Sequence, residues 1–197
     1  MIKIGITGGI GSGKSIVASL FELHDIPVYI ADEETKKLNN SSPHIREQLT
    51  HHFGKELYDS QNLLNKKKFA EIIFSDPAKL ELANSIIHPE VLKHFNEWCL
   101  QNSDHTIVAL EAAILLESNF HKHLDKVVTV YSPLNLRISR VMARDAVDEQ
   151  SVRTRMKCQI SEREKIRMSD YVIVNDDRSS LIEQVDNLIN DIVHRSI

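Results

Sequence analysis

Apolar residues fall along this chain in two rhythms. Short, nearly unbroken runs rich in β-branched residues occur at Ile2–Thr7, Val28–Ile30, Thr106–Leu110, Lys126–Tyr131 and Tyr171–Val174, the pattern of strands buried on both faces. Between them the apolar positions recur every three or four residues. Ile16, Val17, Leu20 and Phe21 follow the first run, Leu134, Ile138, Val141 and Met142 the fourth, and Leu181, Val185, Leu188, Ile189 and Ile192 the fifth. Each set predicts a helix with one apolar face. Ser180-x-x-Glu183 reads as a capping box opening the last helix, and Ser132-Pro133 as the start of the one before. Five buried strands alternating with helices predict an α/β fold around a parallel sheet, with ligands at the C-terminal ends of the strands. Chemistry is therefore expected at residues 8 to 15, 32, 111, 132 and 175.

From Glu33 to about Gln101 the pattern changes, and no run reads as a strand. Helical spacing recurs at Ile45–Phe53, at Phe69 with Ile72 and Ile73, and from Leu80 to Leu100. Asp76-Pro77 predicts a helix start, an N-cap acid followed by proline at the first helical position. His88-Pro89 predicts a junction between two helices. The block reads as a helical insertion over one mouth of the sheet, where a second substrate can be held. The charged stretch Asp145–Arg167 predicts one or two exposed helices.

Composition narrows the class without naming a partner. Of 197 residues, 42% are hydrophobic and 26% charged, ordinary values for a globular chain, so neither a disordered nor a fibrous protein is indicated. The net charge is -4 and the basic residues are dispersed apart from Lys66-Lys67-Lys68, which reads as a solvated helix face; no nucleic-acid partner is expected. Cys99 and Cys158 are far apart and lack a C-x-x-C partner, which suits reduced thiols rather than disulfides or zinc. No run approaches 18 apolar residues and no signal-peptide pattern precedes the first strand, so the expected setting is soluble and cytoplasmic, with no membrane partner.

The chemistry concentrates in Ile2–Ser15, which holds five of the chain's six glycines. Gly8-x-x-x-x-Gly13-Lys14-Ser15 satisfies the P-loop signature between a predicted strand and a predicted helix, the context the signature requires. Consecutive amides can turn inward there as an anion nest, joined by the free amides and positive dipole end of the following helix. Lys14 would reach the β- and γ-phosphates of a nucleotide and the Ser15 hydroxyl would ligate Mg²⁺.

Other candidates carry two readings each. Asp32, just past the second strand, is either a general base or an ordinary N-cap for a helix over Glu33–Leu38. Glu111 closes the third strand, where P-loop proteins carry an acid supporting Mg²⁺, usually through water, and is otherwise a strand-ending carboxylate. Arg137, Arg140 and Arg144 align on one helix side, either to meet a polyphosphate or to form a solvated face paired with Asp145 or Asp148. Arg163, Lys165 and Arg167, interleaved with Glu162 and Glu164, read as surface. The ten histidines form no metal signature, and Asn-Lys-x-Asp is absent, against a Ras-like GTPase.

In order along the chain, GITGGIGSGKS, Ile30-Ala31-Asp32, His88-Pro89, Glu111-Ala112-Ala113-Ile114-Leu115-Leu116-Glu117, Arg140-x-x-x-Arg144-Asp145, Arg155-Met156-x-x-Gln159 and Ser169-Asp170-Tyr171-Val172-Ile173-x-Asn175 resemble the motifs of the dephospho-coenzyme A kinase family. Three positions depart from its pattern. Ile30 replaces the first acid of Asp-Ala-Asp, Ala113 replaces a proline, and Glu162 stands where some members carry a lid arginine. The resemblance implies a P-loop NTPase fold: a five-stranded parallel sheet flanked by helices, with a helical substrate-binding insertion and a helical lid. It divides the chain into a core (1–32, 103–137 and 166–197), a CoA-binding insertion (33–102) and a lid (138–165).

The implied reaction is transfer of the γ-phosphoryl of ATP, with Mg²⁺, to the ribose 3′-hydroxyl of dephospho-CoA. Asp32 is implied as base, with Lys14, Arg140 and Arg144 stabilising the transferred group. ATP contacts are implied at Gly9, Gly11, Ser12, Gly13, Lys14, Ser15, Ile16 and Asn175, and acceptor contacts at Thr7, Asp32, His88 and Glu111. Two other readings of the chain are another small-molecule or nucleoside monophosphate kinase, and an ATP-dependent switch that acts by binding a partner.

Overall fold

The computed structural model describes residues 1–195 and resolves into two compact units, one built from residues 1–30 and 102 onward, the other from Ala31–Gln101. The first unit holds the sheet. Strands β1 (Ile2–Thr7), β2 (Val28–Ile30), β3 (Ile107–Glu111), β4 (Lys126–Tyr131) and β5 (Tyr171–Val174) pair in parallel in the order β2-β3-β1-β4-β5. Register sets Ile6 of β1 beside both Glu111 of β3 and Val128 of β4, which brings the ends of β1 and β3 to one edge. Helix α1 (Lys14–Leu23) follows β1 through the Gly-rich loop. Ile4, Ile6, Val17, Phe21, Val128, Val130, Ile173, Val185, Leu188 and Ile192 form one buried cluster, the last three supplied by the C-terminal helix, Leu181–Arg195. Its first turn is capped as expected, with the Glu183 amide donating to Ser180 Oγ at 3.3 Å.

The second unit is helical apart from residues 54–65, which hold one 3-10 turn, Lys55–Leu57, and a single antiparallel bridge between Tyr58 and Leu64. It comprises α2 (Ala31–Ser41), α3 (Pro43–Phe53), α4 (Lys66–Phe74) and α5 (Pro77–Gln101), with α2, α3 and α4 all packed on α5. Starts follow the local chemistry. Ser42 Oγ accepts from the Ile45 amide before α3, Asn65 Oδ1 from the Lys68 amide before α4, and Asp76 Oδ1 from the Ala78 amide before α5. Two expectations are corrected here. His88-Pro89 is not a junction: α5 runs through Pro89 as one 25-residue helix. Buried residues on both sides of the proline, Ala83, Ile86 and Ile87 before it and Val91, Phe95 and Cys99 after it, hold the segment together and outweigh the lost amide donor. Asp32 is not an N-cap, because α2 starts at Ala31 directly from β2 and places Asp32 in the first helical turn with Glu33 and Glu34. Only Ala31 of α2 is buried, so the helix has no apolar stripe to announce it.

Three further helices complete the first unit: α6 (Leu134–Asp145), α7 (Glu149–Met156) and α8 (Glu162–Arg167), with the C-terminal helix then α9. On α6 the buried residues are Arg137, Ile138 and Val141, whereas Leu134 and Met142 are exposed. The buried face therefore includes an arginine in place of two of the expected apolar positions. No helix among the described residues is long and apolar enough to cross a membrane.

Candidate active site

The loop between β1 and α1 owes its path to glycine at two positions. Gly13, which caps α1, has φ 93°, a conformation that costs any residue with a Cβ. A Cβ at Gly9 would run into the Arg137 guanidinium and the Glu162 carboxylate, which crowd directly onto the loop. The Ser12 amide donates to the Gly9 carbonyl at 3.0 Å and closes the turn. Lys14 Nζ lies 3.1 Å from the Gly8 carbonyl oxygen, folded back across the loop. Thr7 and Ser12 are fully buried, and neither hydroxyl has a hydrogen-bond partner among the described residues. Buried hydroxyls, loop amides and a lysine at the start of a helix make an anion-binding arrangement.

Asn175 ties the end of β5 to this loop. Its Nδ2 donates to the Ser12 carbonyl at 2.8 Å and its amide to Tyr131 at the end of β4 at 2.8 Å. Arg140 donates to Asn175 Oδ1 at 3.2 Å, to Ser132 Oγ at 3.1 Å and to Asp177. Beside these groups opens a cavity of about 500 Å³ whose walls include Gly13, Ile16, Arg140, Asn175, Arg178 and Ser179, a size suited to one small ligand. Part of the expected chemistry at residues 132 and 175 thus gathers next to the loop.

The three arginines of α6 do not converge on one anion. Arg140 faces Asn175 and Asp177, and Arg144 forms a fork with the Asp145 carboxylate at 2.7 and 3.1 Å on the surface. Arg155 joins the same carboxylate at 2.6 Å, and these guanidiniums hold the Asp145 carboxyl well below the usual carboxylate range. Arg137 is buried and donates to Glu162 Oε1 at 3.2 Å. Arg144 thus lies exposed and paired with Asp145, whereas Arg137 lies off the solvated face.

The reading of Lys165 as a surface residue is also corrected. Lys165 is fully buried; its ammonium donates to Glu117 Oε1 at 2.8 Å and to the Ala113 carbonyl at 3.2 Å. Glu117 accepts from the Ile160 amide at 3.0 Å, and Gln159 Nε2 donates to the same Ala113 carbonyl at 3.2 Å. Two anchored acceptors satisfy the buried ammonium, and the interleaved-charge pattern misled because one side of this six-residue helix, at Glu162 and Lys165, is turned away from solvent. Gln159 Oε1 also accepts from the Ile10 amide of the loop at 2.9 Å. Arg137, Gln159 and Glu162 thus reach the loop and Lys165 anchors the helix that carries Glu162, an assembly that no local spacing announced.

The remaining expected site residues are more dispersed. Glu111 is buried at the end of β3, beside β1, and Ser15 sits exposed in the first turn of α1. Among the described residues no cluster of three or more His, Cys, Asp or Glu side chains could hold a metal unaided. One hydroxyl with one carboxylate suits an ion that takes most of its oxygens from phosphate and water, as Mg²⁺ does. In the second unit Asp32 is exposed, and His88 on α5 is half-buried, which pushes its imidazole below the usual histidine range.

Known proteins resemble this chain along nearly its whole length. The family model described as dephospho-CoA kinase (CoaE) matches residues 2–180. The dephospho-CoA kinase of Bacteroides fragilis is 43% identical over 188 residues, covering 95% of this chain and 91% of that protein. The crystal structure of TT1252 from Thermus thermophilus superposes with a TM-score of 0.83 at 30% identity, covering 98% and 97% of the two chains. Dephospho-CoA kinase from Campylobacter jejuni shares the fold, with a TM-score of 0.70 at 21% identity over 99% and 98%. With the glycine-bounded loop, the parallel sheet and the helical second unit all in place, the matches extend far beyond the loop, and the chain belongs to the dephospho-CoA kinase family.

Proposed function

We propose that this protein transfers the γ-phosphoryl group of ATP to the ribose 3′-hydroxyl of dephospho-CoA, releasing ADP and coenzyme A, the last step of coenzyme A synthesis. The observation that carries the reading is the anion-binding loop joined through Asn175 to the adjoining cavity, in a chain matched by one kinase family over residues 2–180.

The nucleotide base occupies the cavity beside Gly13 and Asn175, and its phosphates follow the loop. Residues Gly9 to Ile16 form the ATP-binding segment. Phosphoryl transfer asks mainly for positioning and charge neutralisation. Loop amides hold the phosphate oxygens, and Lys14 leaves the Gly8 carbonyl to meet the β- and γ-phosphates. Ser15 and Glu111 are the residues that would hold Mg²⁺, Glu111 by way of water, and the ion would neutralise charge on the phosphate oxygens. Arg140 and Arg144 meet the transferred group, at the cost of their present bonds to Asp177 and Asp145.

Asp32 accepts the proton of the attacking hydroxyl, and Thr7, His88 and Glu111 contact the acceptor. Residues 33–102 bind the CoA moiety and 138–165 act as a lid that excludes water, because an open site wastes ATP on hydrolysis. The setting is the cytoplasm.

The test is to incubate the protein with Mg-ATP and dephospho-CoA, a nucleoside monophosphate or no acceptor, and to follow both ADP and coenzyme A. ADP release should depend on dephospho-CoA and match coenzyme A formed mole for mole. Release that ignores dephospho-CoA refutes the reading, and release driven by a nucleoside monophosphate replaces it with the sister kinase class.

A further inference from the structure

Glu162 is an anion placed in an anion's site. Its Oε1 receives a hydrogen bond from Arg137 Nη1 at 3.2 Å, and its carboxylate lies over Gly9. Burial works against its charged form, and Arg137, Lys165, Lys14 and the Gly9 amide work for it. The site is nevertheless imperfectly filled. Glu162 Oε2 and Arg137 Nε are both buried and lack a hydrogen-bond partner among the described residues, and an orphaned buried donor is costly. Arg137 itself is 7% exposed. A carboxylate offers two oxygens and one charge, and a terminal phosphate offers three oxygens and about two charges in tetrahedral array. Phosphate therefore satisfies this corner better than the residue that now holds it.

Position along the loop says which phosphate. The cavity that suits a base adjoins Gly13, at the start of α1, and Glu162 sits at Gly9, the other end of the loop. Lys14, which serves the β- and γ-phosphates in loops of this type, is among the cations that act on Glu162. A phosphate chain running from the cavity reaches the Glu162 corner with its last member.

We propose that Glu162 sets selectivity by phosphate number: its carboxylate is an internal ligand of the Gly9–Arg137 corner, displaced by the terminal phosphate of a nucleoside triphosphate and left in place by a diphosphate. A triphosphate must evict Glu162 before it seats, whereas a diphosphate binds with the corner already neutralised. This rests on the donor-site reading above.

The experiment is calorimetric titration of the wild type and Glu162→Gln with ATP, ADP and AMP in Mg²⁺ without acceptor. Glutamine keeps the shape and removes the competing charge, so ATP affinity should rise about tenfold, with ADP within about twofold and AMP unchanged. An unchanged ATP-to-ADP affinity ratio, or equal weakening of all three nucleotides as a purely structural pair would give, overturns the proposal and leaves the donor site standing. A wild type that binds none of the three overturns the donor site itself. Crystal structures of the wild type give a check that needs no variant. Glu162 should stay on Arg137 with ADP bound and leave with a non-hydrolysable ATP analogue; retention beside the triphosphate overturns the proposal.

Discussion

Replacing Lys165 with methionine tests whether a buried charge anchors α8 beneath the loop. The Lys165 ammonium is fully buried and lies 2.8 Å from Glu117 Oε1, whose side chain is 17% exposed. At that separation the gross attraction is about 6 kcal/mol for an effective dielectric of 20. Most of this offsets desolvation, so the pair's net worth is far smaller. Removing one partner is a different quantity, because Glu117 is left with a largely buried charge and only the Ile160 amide. Such losses run to about 3–5 kcal/mol, and the partial exposure of Glu117 places this one near 3 kcal/mol. The lost bond to the Ala113 carbonyl is included in that figure.

For a chain of this length about 3 kcal/mol lowers the melting midpoint by roughly 6–12 °C. Far-UV circular dichroism during urea and thermal unfolding is the assay. The single tryptophan, Trp98 on α5 of the second unit, followed by fluorescence in parallel, keeps that unit's transition separate. Glu117→Leu added to Lys165→Met should recover much of the loss, since no charge is then stranded. A loss under about 1 kcal/mol, the range of exposed pairs, or a double variant that loses the sum of the two single losses, refutes the anchoring argument.

Three other outcomes are expected. Lys14→Ala should lower turnover by about a hundredfold or more through lost phosphate stabilisation while the circular dichroism spectrum is kept, since the side chain bonds the surface loop rather than the core; steady-state kinetics with dephospho-CoA decides. Asp32→Asn should depress kcat by about 10²-fold or more with ATP affinity nearly unchanged, and should alter stability by less than about 1 kcal/mol because the residue is an exposed acid of a first helical turn; unaltered turnover removes it as the base. The third concerns pH: burial pushes the Glu162 carboxyl up, against Arg137, Lys165, Lys14 and the Gly9 amide. A carboxyl raised in the folded state holds its proton more tightly there than in the unfolded chain. Its contribution is therefore most favourable below the unfolded value of about 4.3 and declines as pH rises through the folded value. The unfolding free energy of the wild type minus that of Glu162→Gln should fall as pH rises above about 4, and a rise refutes the assignment.

Local chemistry was enough for the strands, the loop and most helix starts. β-Branched runs, capping side chains and the glycine spacing act over a few residues, so Ile2–Thr7, Asp76, Ser180 and Gly13 carry their own instructions. The alternation of strand and helix then implied the parallel sheet. Pro89 misled because its local cost is real yet smaller than the burial of the residues on either side, a term that exists only once α5 packs against its neighbours. The start of polar α2 was misplaced, at Glu33 rather than Ala31, because the helix has only one buried residue to set a period.

What surrounds the loop was beyond any local reading. Glu162 meets Arg137 across 25 positions, Lys165 meets Glu117 across 48, and Gln159 meets Ile10 across 149. Charge sequence alone cannot separate a buried pair from a solvated one, because the two differ in the dielectric and the donors that packing supplies. By itself the sequence determined that a phosphate-binding loop stands at the head of a parallel sheet, through short-range sterics and hydropathy. Only the tertiary structure decided which charges are enclosed around that loop, because burial is a property of the packed whole.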